Sequence, residues 1–296
     1  MADPIAYLNG KLLPYREAFL RVYDLGLVQG ATVTERLRTV RHQPALVKEH
    51  LDRLEQSLDL VGWSALPTRR ELEQAIADVA AHNATLIGPD DDLSVVLFVT
   101  PGPFFPDVWG LVEPPGQPTV CVHATPLPQS CWEPLYREGV HLYTPEIRHI
   151  PPECLDPRIK QRSRLSWHLA DRQVRAQDPL GMALLLDMQG YVTETNSGNL
   201  FVVSANRLYT PTARNTLGGI TQQAVMELAR EAGLEVQRVD LTIQDVIEAD
   251  EAFLTSSTYL VMPATRCNGQ NIGTGLVGEV TTQLGQLLRA RLGIPL

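Results

Sequence analysis

The chain has 296 residues, of which 44% are hydrophobic and 20% charged, which indicates a globular protein of about two domains. Its formal net charge of −9 argues against a nucleic-acid-binding surface, and no apolar run is long enough for a transmembrane helix. The four cysteines and seven histidines show no metal-ligand spacing, so we expect no metal site, and reduced thiols in a cytoplasmic protein.

The first half of the chain predicts a hairpin, two helices and two strands. An Asn-Gly pair in "IAYLNGKLLP" predicts the hairpin turn. Leucines at helical spacing predict a helix in "LVKEHLDRLEQSLDLVGW" that stops at Gly62. The other elements are a helix in "TRRELEQAIADVAAHN" and strands at residues 93–100 and 119–124. Between these strands, "PGPFFPDVWGLVEPPGQP" is too rich in Pro and Gly for regular structure.

The second half follows a predicted linker, "TPLPQS", at residues 125–130. Its predicted elements are a helix near 162–176, three strands in "MALLLDMQGYVTETNSGNLFVVSANRLYTP", a helix from about Thr221, a strand in "EAFLTSST" and a last helix near 279–292. Helices and strands are mixed without repeated βαβ units, which favours an α+β fold in two domains. We therefore expect a smaller domain at residues 1–124 and a larger one at 131–296.

Lysine is rare in this chain, with Lys11, Lys48 and Lys160 against 22 arginines. Arginine replaces lysine at most solvated positions, but only lysine can become a neutral amine. Lys11 adjoins the hairpin turn, and Lys48 precedes a helix and should face water. Lys160 lies in "DPRIKQRSRL", where cationic neighbours can lower a lysine pKa for nucleophilic work. The same stretch is also compatible with a solvated face or a phosphate-binding patch.

Three other features suit an anion site. "LGGIT", residues 217–221, opens a helix whose free amides can bind phosphate. "TSST", residues 255–258, places hydroxyls at a strand end, and Arg53 lies on the polar side of a helix. Each feature could instead have no ligand: the glycines could form a tight turn, the hydroxyls could be polar loop residues, and the arginine could be a solvated side chain.

Glu194, in "GYVTETNSGNLF", is a carboxylate in a strand of β-forming residues. It could be a solvent-facing strand residue or a partner for a protonated nitrogen. A lysine amine, a phosphate site and a carboxylate for a ring nitrogen are together what pyridoxal phosphate requires.

In these features the sequence resembles the fold-type-IV, or class IV, pyridoxal-phosphate enzymes. That family contains the branched-chain and D-amino-acid aminotransferases and 4-amino-4-deoxychorismate lyase. The resemblance spans nearly the whole chain, and the 34-residue spacing from Lys160 to Glu194 also fits. Further matches are Asp24, Gly26, Gly30, Glu35, "HLDRL", "LYTP", "LGGIT", "ADEAFLTSST" and Pro263. The resemblance implies a small α+β domain, a larger pseudo-barrel domain and bound pyridoxal 5′-phosphate.

The resemblance also implies roles for individual residues. Lys160 is implied as the lysine that carries the cofactor and Glu194 as the partner of its ring nitrogen. Leu217 would pack against the ring, and Thr258 would lie near the substrate carboxylate. The implied phosphate ligands are Arg53, the amides of Ile220 and Thr221, and the hydroxyl of Ser257 with Ser256 beside it.

The substrate positions depart from the family's subgroups. Thr34 stands where branched-chain enzymes carry an aromatic residue, and Leu165 where they carry a tyrosine. Thr34 is therefore expected to lie in the substrate site. Arg38 or Arg36 could bind a substrate carboxylate, and the alternative is that one of these arginines faces solvent. The resemblance favours a branched-chain-like aminotransferase, with the lyase and a non-catalytic cofactor-binding homologue as alternatives.

Family members are usually homodimers whose active site borrows a loop from the partner. "GPFFPDVW", residues 102–109, could be that loop here or an ordinary buried interdomain loop. The expected ligands are therefore small amino and keto acids, with no nucleic acid and no membrane.

Overall fold

The computed structural model describes residues 3–63, 67–103 and 117–295. The chain folds into two compact units. The first comprises Met1–Leu127 with Ile159–Ser163, and the second comprises Pro128–Arg158 with Arg164–Leu296. In the described residues, no helix is long and apolar enough to cross a membrane, and no His/Cys/Asp/Glu group could hold a metal ion.

The first unit is a sheet covered on one face by helices. Its elements are β1 Ile5–Leu8, β2 Lys11–Pro14, a 3-10 helix Tyr15–Glu17, α1 Leu25–Val28, β3 Val33–Val40, β4 Gln43–Pro44, α2 Val47–Val61, α3 Arg69–Ala84, β5 Leu93–Thr100 and β6 Thr119–Pro126. The strand order is β2-β1-β6-β5-β3-β4. Residues such as Leu37 and Leu97 share one apolar core with Leu51 and Ile76 of the two long helices.

The second unit is built around a closed ring of strands. Its elements are α4 Gln129–Glu138, β7 Val140–Tyr143, α5 Leu165–Arg175, β8 Met182–Leu186, β9 Val192–Thr195, β10 Asn199–Ser204, β11 Arg207–Pro211, α6 Ile220–Glu231, β12 Glu235–Val239, α7 Ile243–Ile247, β13 Glu251–Ser256, β14 Leu260–Cys267, β15 Gln270–Asn271 and α8 Glu279–Leu292. The order β10-β13-β14-β7-β8-β9, with β9 also paired to β10, closes six strands into a barrel. The expected pseudo-barrel is therefore confirmed.

Several local predictions are confirmed by their backbone geometry. The first hairpin turns at Asn9 and Gly10, which have φ values of 48° and 84°. Two successive positive φ angles are what a tight hairpin requires and what Asn-Gly tolerates. Helix α2 ends at Gly62, whose φ of 69° gives the left-handed C-cap.

The prediction of three strands between residues 182 and 211 is wrong, because four strands form there. The break is a turn in which the amide and hydroxyl of Thr195 both donate to the carbonyl of Gly198, at 3.0 and 2.9 Å. The turn ends β9 just after Glu194 and starts β10 at Asn199. Consequently Glu194 and Asn199 become directly opposed cross-strand partners.

The boundary between the units differs in detail from the expected domains. The division follows Leu127, but Pro126 completes β6 and Gln129 begins α4, so residues 125–130 are mostly regular structure. The segment Ile159–Ser163 belongs to the first unit, because its Gln161 forms a bridge with Val33 at the start of β3. Most of "GPFFPDVW", from residue 104 onward, lies outside the described residues.

Candidate active site

A buried ionic cluster joins β3 to α2 in the first unit. Arg53 donates from Nε and Nη2 to the two carboxylate oxygens of Glu35, at 2.8 and 2.7 Å, and His50 Nδ1 lies 2.7 Å from Oε2. His50 and Arg53 are three residues apart on α2, so they share one helix face. Burial alone would raise the pKa of Glu35, but Arg53, followed by His50, lowers it to about 2. Glu35 therefore orients Arg53 as a permanently ionised partner.

Lys160 is anchored beside this cluster by its backbone. Its amide donates to Ser57 Oγ at 3.2 Å, and its carbonyl accepts from the Thr34 amide at 2.8 Å. Burial lowers the pKa of His50, and the charges of Arg53 and Lys160 lower it further. The amine of Lys160 is thus close enough to act electrostatically on the cluster.

The other two lysines have different surroundings. Lys48 is 77% exposed and pairs with Asp52 at 2.8 Å, and Lys11 is exposed on β2. Lys160, in contrast, is half-buried. Among the three lysines, only Lys160 is partly buried and lies beside the buried ionic cluster.

A second carboxylate site lies in the barrel unit. Glu194 Oε2 accepts hydrogen bonds from Asn199 Nδ2 and from the Leu217 amide, both at 3.1 Å. Asn199 Nδ2 also donates to the Leu217 carbonyl at 2.9 Å. The second oxygen of Glu194 lies 3.7 Å from His149 Nε2. Asn199 therefore ties the Glu194 carboxylate to the segment that precedes α6.

That segment is a glycine turn leading into a helix. A Cβ on Gly219 would overlap Asn199 Oδ1, so the close approach requires glycine. Gly219 is the N-cap of α6 and makes no side-chain cap. The amides of Ile220 and Thr221 at a helix start form an anion-binding arrangement.

Hydroxyl groups follow the end of β13. Ser256 Oγ lies 3.2 Å from Thr258 Oγ1, and Ser256 and Ser257 are both half-buried. The buried Thr255 Oγ1 has no hydrogen-bond partner in the described part of the chain. An unpartnered buried hydroxyl beside further hydroxyls is consistent with a site for a polar ligand.

Comparison with known proteins decides the family. The model of the amino-transferase class IV family matches residues 32–267, which is most of the chain. The chain belongs to the class IV aminotransferases. It is therefore an enzyme of this kind, and pyridoxal phosphate is the cofactor of the family.

Three relatives show how far the likeness extends. A putative branched-chain-amino-acid aminotransferase of Methanocaldococcus jannaschii is 32% identical, with 97% of each chain covered. The aminodeoxychorismate lyase of Bacillus subtilis is 27% identical, covering 97% of this chain and 94% of that one. The branched-chain amino acid aminotransferase of T.th., solved with pyridoxamine 5′-phosphate, is 28% identical with a TM-score of 0.86, covering 99% and 95%.

The described residues fit pyridoxal phosphate in the chemistry of their donor groups. The first unit contains a half-buried lysine amine and an arginine oriented by Glu35. The second contains a positioned carboxylate, a glycine turn at a helix start and a group of hydroxyls. Pyridoxal phosphate requires groups of these kinds, namely an amine, a carboxylate for its ring nitrogen and donors for its phosphate.

The residues predicted for the substrate have specific local contacts. Thr34 Oγ1 donates to the Leu97 carbonyl at 2.8 Å. Arg38 is buried, donates to the Thr39 carbonyl at 3.0 Å and pairs with Asp92 at 3.3 Å. Because Arg38 already has an internal carboxylate, we do not retain it as a substrate ligand. Thr258 is buried beside Ser256.

Sequence reasoning gave no role to four residues that organise these clusters. They are His50, His149, Asn199 and, beyond its match to the family, Glu35. Glu35 could have been found from the sequence, because it is a charged residue at an apolar strand position. Asn199 had no local signal, because its role depends on pairing between β9 and β10.

Proposed function

We propose that this enzyme transfers an amino group between an amino acid and a 2-keto acid, as a branched-chain-like aminotransferase in which Lys160 is catalytic. The observation that carries the proposal is the position of Lys160, half-buried beside a cluster that contains Arg53. From the first unit we assign Lys160 and Arg53 to the cofactor. From the second we assign Glu194, Leu217, Ile220, Thr221, Ser256 and Ser257.

When bound, pyridoxal phosphate supplies an electron-accepting ring that stabilises negative charge at the substrate α-carbon. In the first half-reaction, Lys160 Nζ takes the proton from the α-carbon of the amino donor. In the second half-reaction, it supplies a proton to the α-carbon of the product amino acid. A free lysine has a pKa of about 10.4, so this role requires a site that favours the neutral amine. Glu194 holds the ring nitrogen protonated, and Asn199 holds Glu194.

The phosphate would bind to charge-assisted and backbone donors. Arg53 provides a guanidinium whose orientation is set by Glu35, and α6 provides the amides of Ile220 and Thr221. Ser257, with Ser256 beside it, adds hydroxyl donors. Leu217 packs against the ring, and Thr34 and Thr258 are our assignments for the substrate.

Borohydride reduction tests the assignment of Lys160. In the cofactor-loaded protein, mass spectrometry should find the pyridoxyl label on Lys160, and the Lys160→Arg variant should acquire none. Lys11→Arg and Lys48→Arg are matched controls that should keep the label. A label on Lys11 or Lys48, or none on any lysine of the wild type, would refute the assignment.

The second candidate activity is the pyruvate-releasing aminodeoxychorismate lyase reaction. It is supported by the similarity to the B. subtilis lyase over nearly the whole chain. A panel of amino donors with 2-oxoglutarate or pyruvate as acceptor tests transamination. Release of pyruvate from aminodeoxychorismate, without transfer to any acceptor, would establish the lyase instead. The presence of both Lys160 and Glu194 argues against a non-catalytic homologue.

We further propose a cytoplasmic homodimer. The four free cysteines suit a reducing compartment. The exposed apolar side chains of Phe19, Val22 and Leu27 suit an interface with a second copy. Light scattering of the purified protein tests the dimer, and a monomeric mass at micromolar concentration would contradict it.

A further inference from the structure

The start of α6 is tied to two strands of the second unit by a buried amide side chain, that of Gln222. Gln222 is the third residue of α6 and has no solvent exposure. Its Nε2 donates to Thr210 Oγ1 at 3.0 Å, and Thr210 Oγ1 donates to the Leu200 carbonyl at 2.7 Å. These bonds connect the first turn of α6 to β11 and β10. The amides of Ile220 and Thr221 therefore belong to a turn that is fixed to the sheet.

The oxygen of the same amide accepts a hydrogen bond from an arginine on β12. Arg238 Nη2 donates to Gln222 Oε1 at 3.1 Å, and Arg238 Nη1 donates to the Pro211 carbonyl at 3.4 Å. Nη2 also lies 3.6 Å from the sulfur of Met226, which is on the second turn of α6. These three contacts hold the guanidinium in one place beside the first two turns of the helix.

The charge of Arg238 is not neutralised by an acidic residue. Its contacts are an amide oxygen, a carbonyl oxygen and a sulfur, and no carboxylate in residues 3–63, 67–103 or 117–295 forms an ion pair with it. The first turn of α6 contains no acidic residue either. Burial lowers the pKa of Arg238, and the charge of Arg230 lowers it further. A half-buried cation without a counter-charge is unfavourable, and an anion bound close to it would relieve that cost.

We propose that Arg238 is a positioning residue for the cofactor phosphate and acts through Gln222 on the start of α6. Its hydrogen bond to Gln222 fixes the turn that carries the amides of Ile220 and Thr221. Its charge adds to the positive end of the helix dipole, where anions bind. The inference rests on the proposed function, in which these two amides are phosphate ligands.

The binding of two ring amines to the cofactor-free protein tests this role. Pyridoxamine 5′-phosphate and pyridoxamine differ only in the phosphate, so the ratio of their affinities reports phosphate binding. Neither forms an imine with a lysine, so the assignment of Lys160 does not affect the result. Calorimetric titration should show that the wild type prefers the phosphorylated amine. Arg238→Met should lower the affinity for pyridoxamine 5′-phosphate about tenfold, the scale of one hydrogen bond to a charged group, and leave the affinity for pyridoxamine unchanged.

Three variants serve as controls. Arg230→Met, at the exposed far end of α6, makes the same change in net charge and should alter neither affinity. Arg238→Lys keeps the charge and should keep most of the preference for the phosphorylated amine. Arg238→Gln removes the charge but keeps a polar group beside Gln222, so it provides the same test if the methionine variant does not fold.

Three results would overturn the positioning role. The first is an unchanged affinity ratio in Arg238→Met or Arg238→Gln. The second is an equal loss of affinity for both amines, which would mean that Arg238 only stabilises the second unit. The third is a lysine variant as weak as the methionine variant, which would show that the charge does not contribute.

Further outcomes distinguish this inference from the proposed function. A preference for the phosphorylated amine that is lost in Arg53→Gln but not in Arg238→Met would reject the role of Arg238 and leave the proposed function standing. A preference that depends on Arg238, in a protein that transfers no amino group from any donor, would support the positioning role and reject the proposed activity.

Discussion

The two units each hold one carboxylate at the centre of a cluster, and they hold it differently. In the first unit Glu35 has no solvent exposure, and both its oxygens are engaged by Arg53 and His50 within 2.8 Å. In the second, one oxygen of Glu194 accepts two amide donors at 3.1 Å, and the other lies 3.7 Å from His149. A charged partner saturates Glu35, while neutral amides position Glu194.

Under the proposed function, this difference separates a structural carboxylate, Glu35, from one that takes part in the reaction, Glu194. A saturated, buried carboxylate has no remaining capacity to bind a ligand, and its partners depend on its charge. A carboxylate positioned by neutral donors keeps its charge available for a cationic partner such as a protonated ring nitrogen. We therefore expect substitutions at Glu35 to act on stability and substitutions at Glu194 to act on rate.

The largest expected effect is that of Glu35→Gln on stability. In the cofactor-free protein, the change leaves the largely buried Arg53 guanidinium without its counter-charge, which should cost about 3–5 kcal/mol of unfolding free energy. The pKa of Glu35 falls from 4.5 to about 2 on folding, which corresponds to on the order of 3 kcal/mol at neutral pH. The difference from wild type in urea denaturation should be complete above pH 4.5 and disappear as the pH falls towards 2.

The direction of this pH dependence follows from linkage. A carboxyl whose pKa is lowered on folding stabilises the protein only while it is ionised, so its contribution is lost on protonation. Glu73→Gln is the control, because the exposed Glu73 pairs with Arg69 at the surface. A wild-type advantage that persisted undiminished at pH 2 would show that the charge of Glu35 is not what stabilises the cluster.

A smaller effect, on rate and not on stability, is expected for Glu194→Gln. Glutamine keeps the size of the side chain but cannot hold a ring nitrogen in its protonated state. We expect the cofactor to remain bound and the single-turnover rate to fall roughly a hundredfold, within the range of positioned acid–base groups. Glu227→Gln, at an exposed site on α6, is the matched control. A wild-type rate in Glu194→Gln would make Glu194 an ordinary strand residue.

Local sequence patterns predicted elements whose signals are local. The Asn9-Gly10 turn, the glycine that ends α2 at Gly62 and the final helix at Glu279–Leu292 all follow from residues near each element. The scarcity of lysine drew attention to the stretch around Lys160, which was also compatible with a solvated face, and the predicted role of Lys160 came from the resemblance to the family.

The features that were missed depend on contacts between distant residues. Ile159–Ser163 joins the first unit because Gln161 and Lys160 pair with the start of β3, more than 120 residues earlier in the chain. Arg38 was predicted as a substrate ligand because the sequence did not reveal its internal partner, Asp92, which lies 54 residues away. The turn that separates β9 from β10 is made by the hydroxyl of Thr195, a residue type that also favours strands.

The smallest effect, and the sharpest test of how Glu194 is held, is that of Asn199→Ala. The substitution removes one hydrogen bond to Glu194 and one to the Leu217 carbonyl, while the Leu217 amide still donates to Glu194. The loss of about 1 kcal/mol of positioning should lower kcat about fivefold and leave KM for the amino donor unchanged. If Asn199 acts through Glu194, adding Asn199→Ala to Glu194→Gln should slow the reaction no further, because coupled residues are not additive. Equal rate losses in both backgrounds would mean that Asn199 stabilises the barrel generally, and that the positioning of Glu194 does not depend on it.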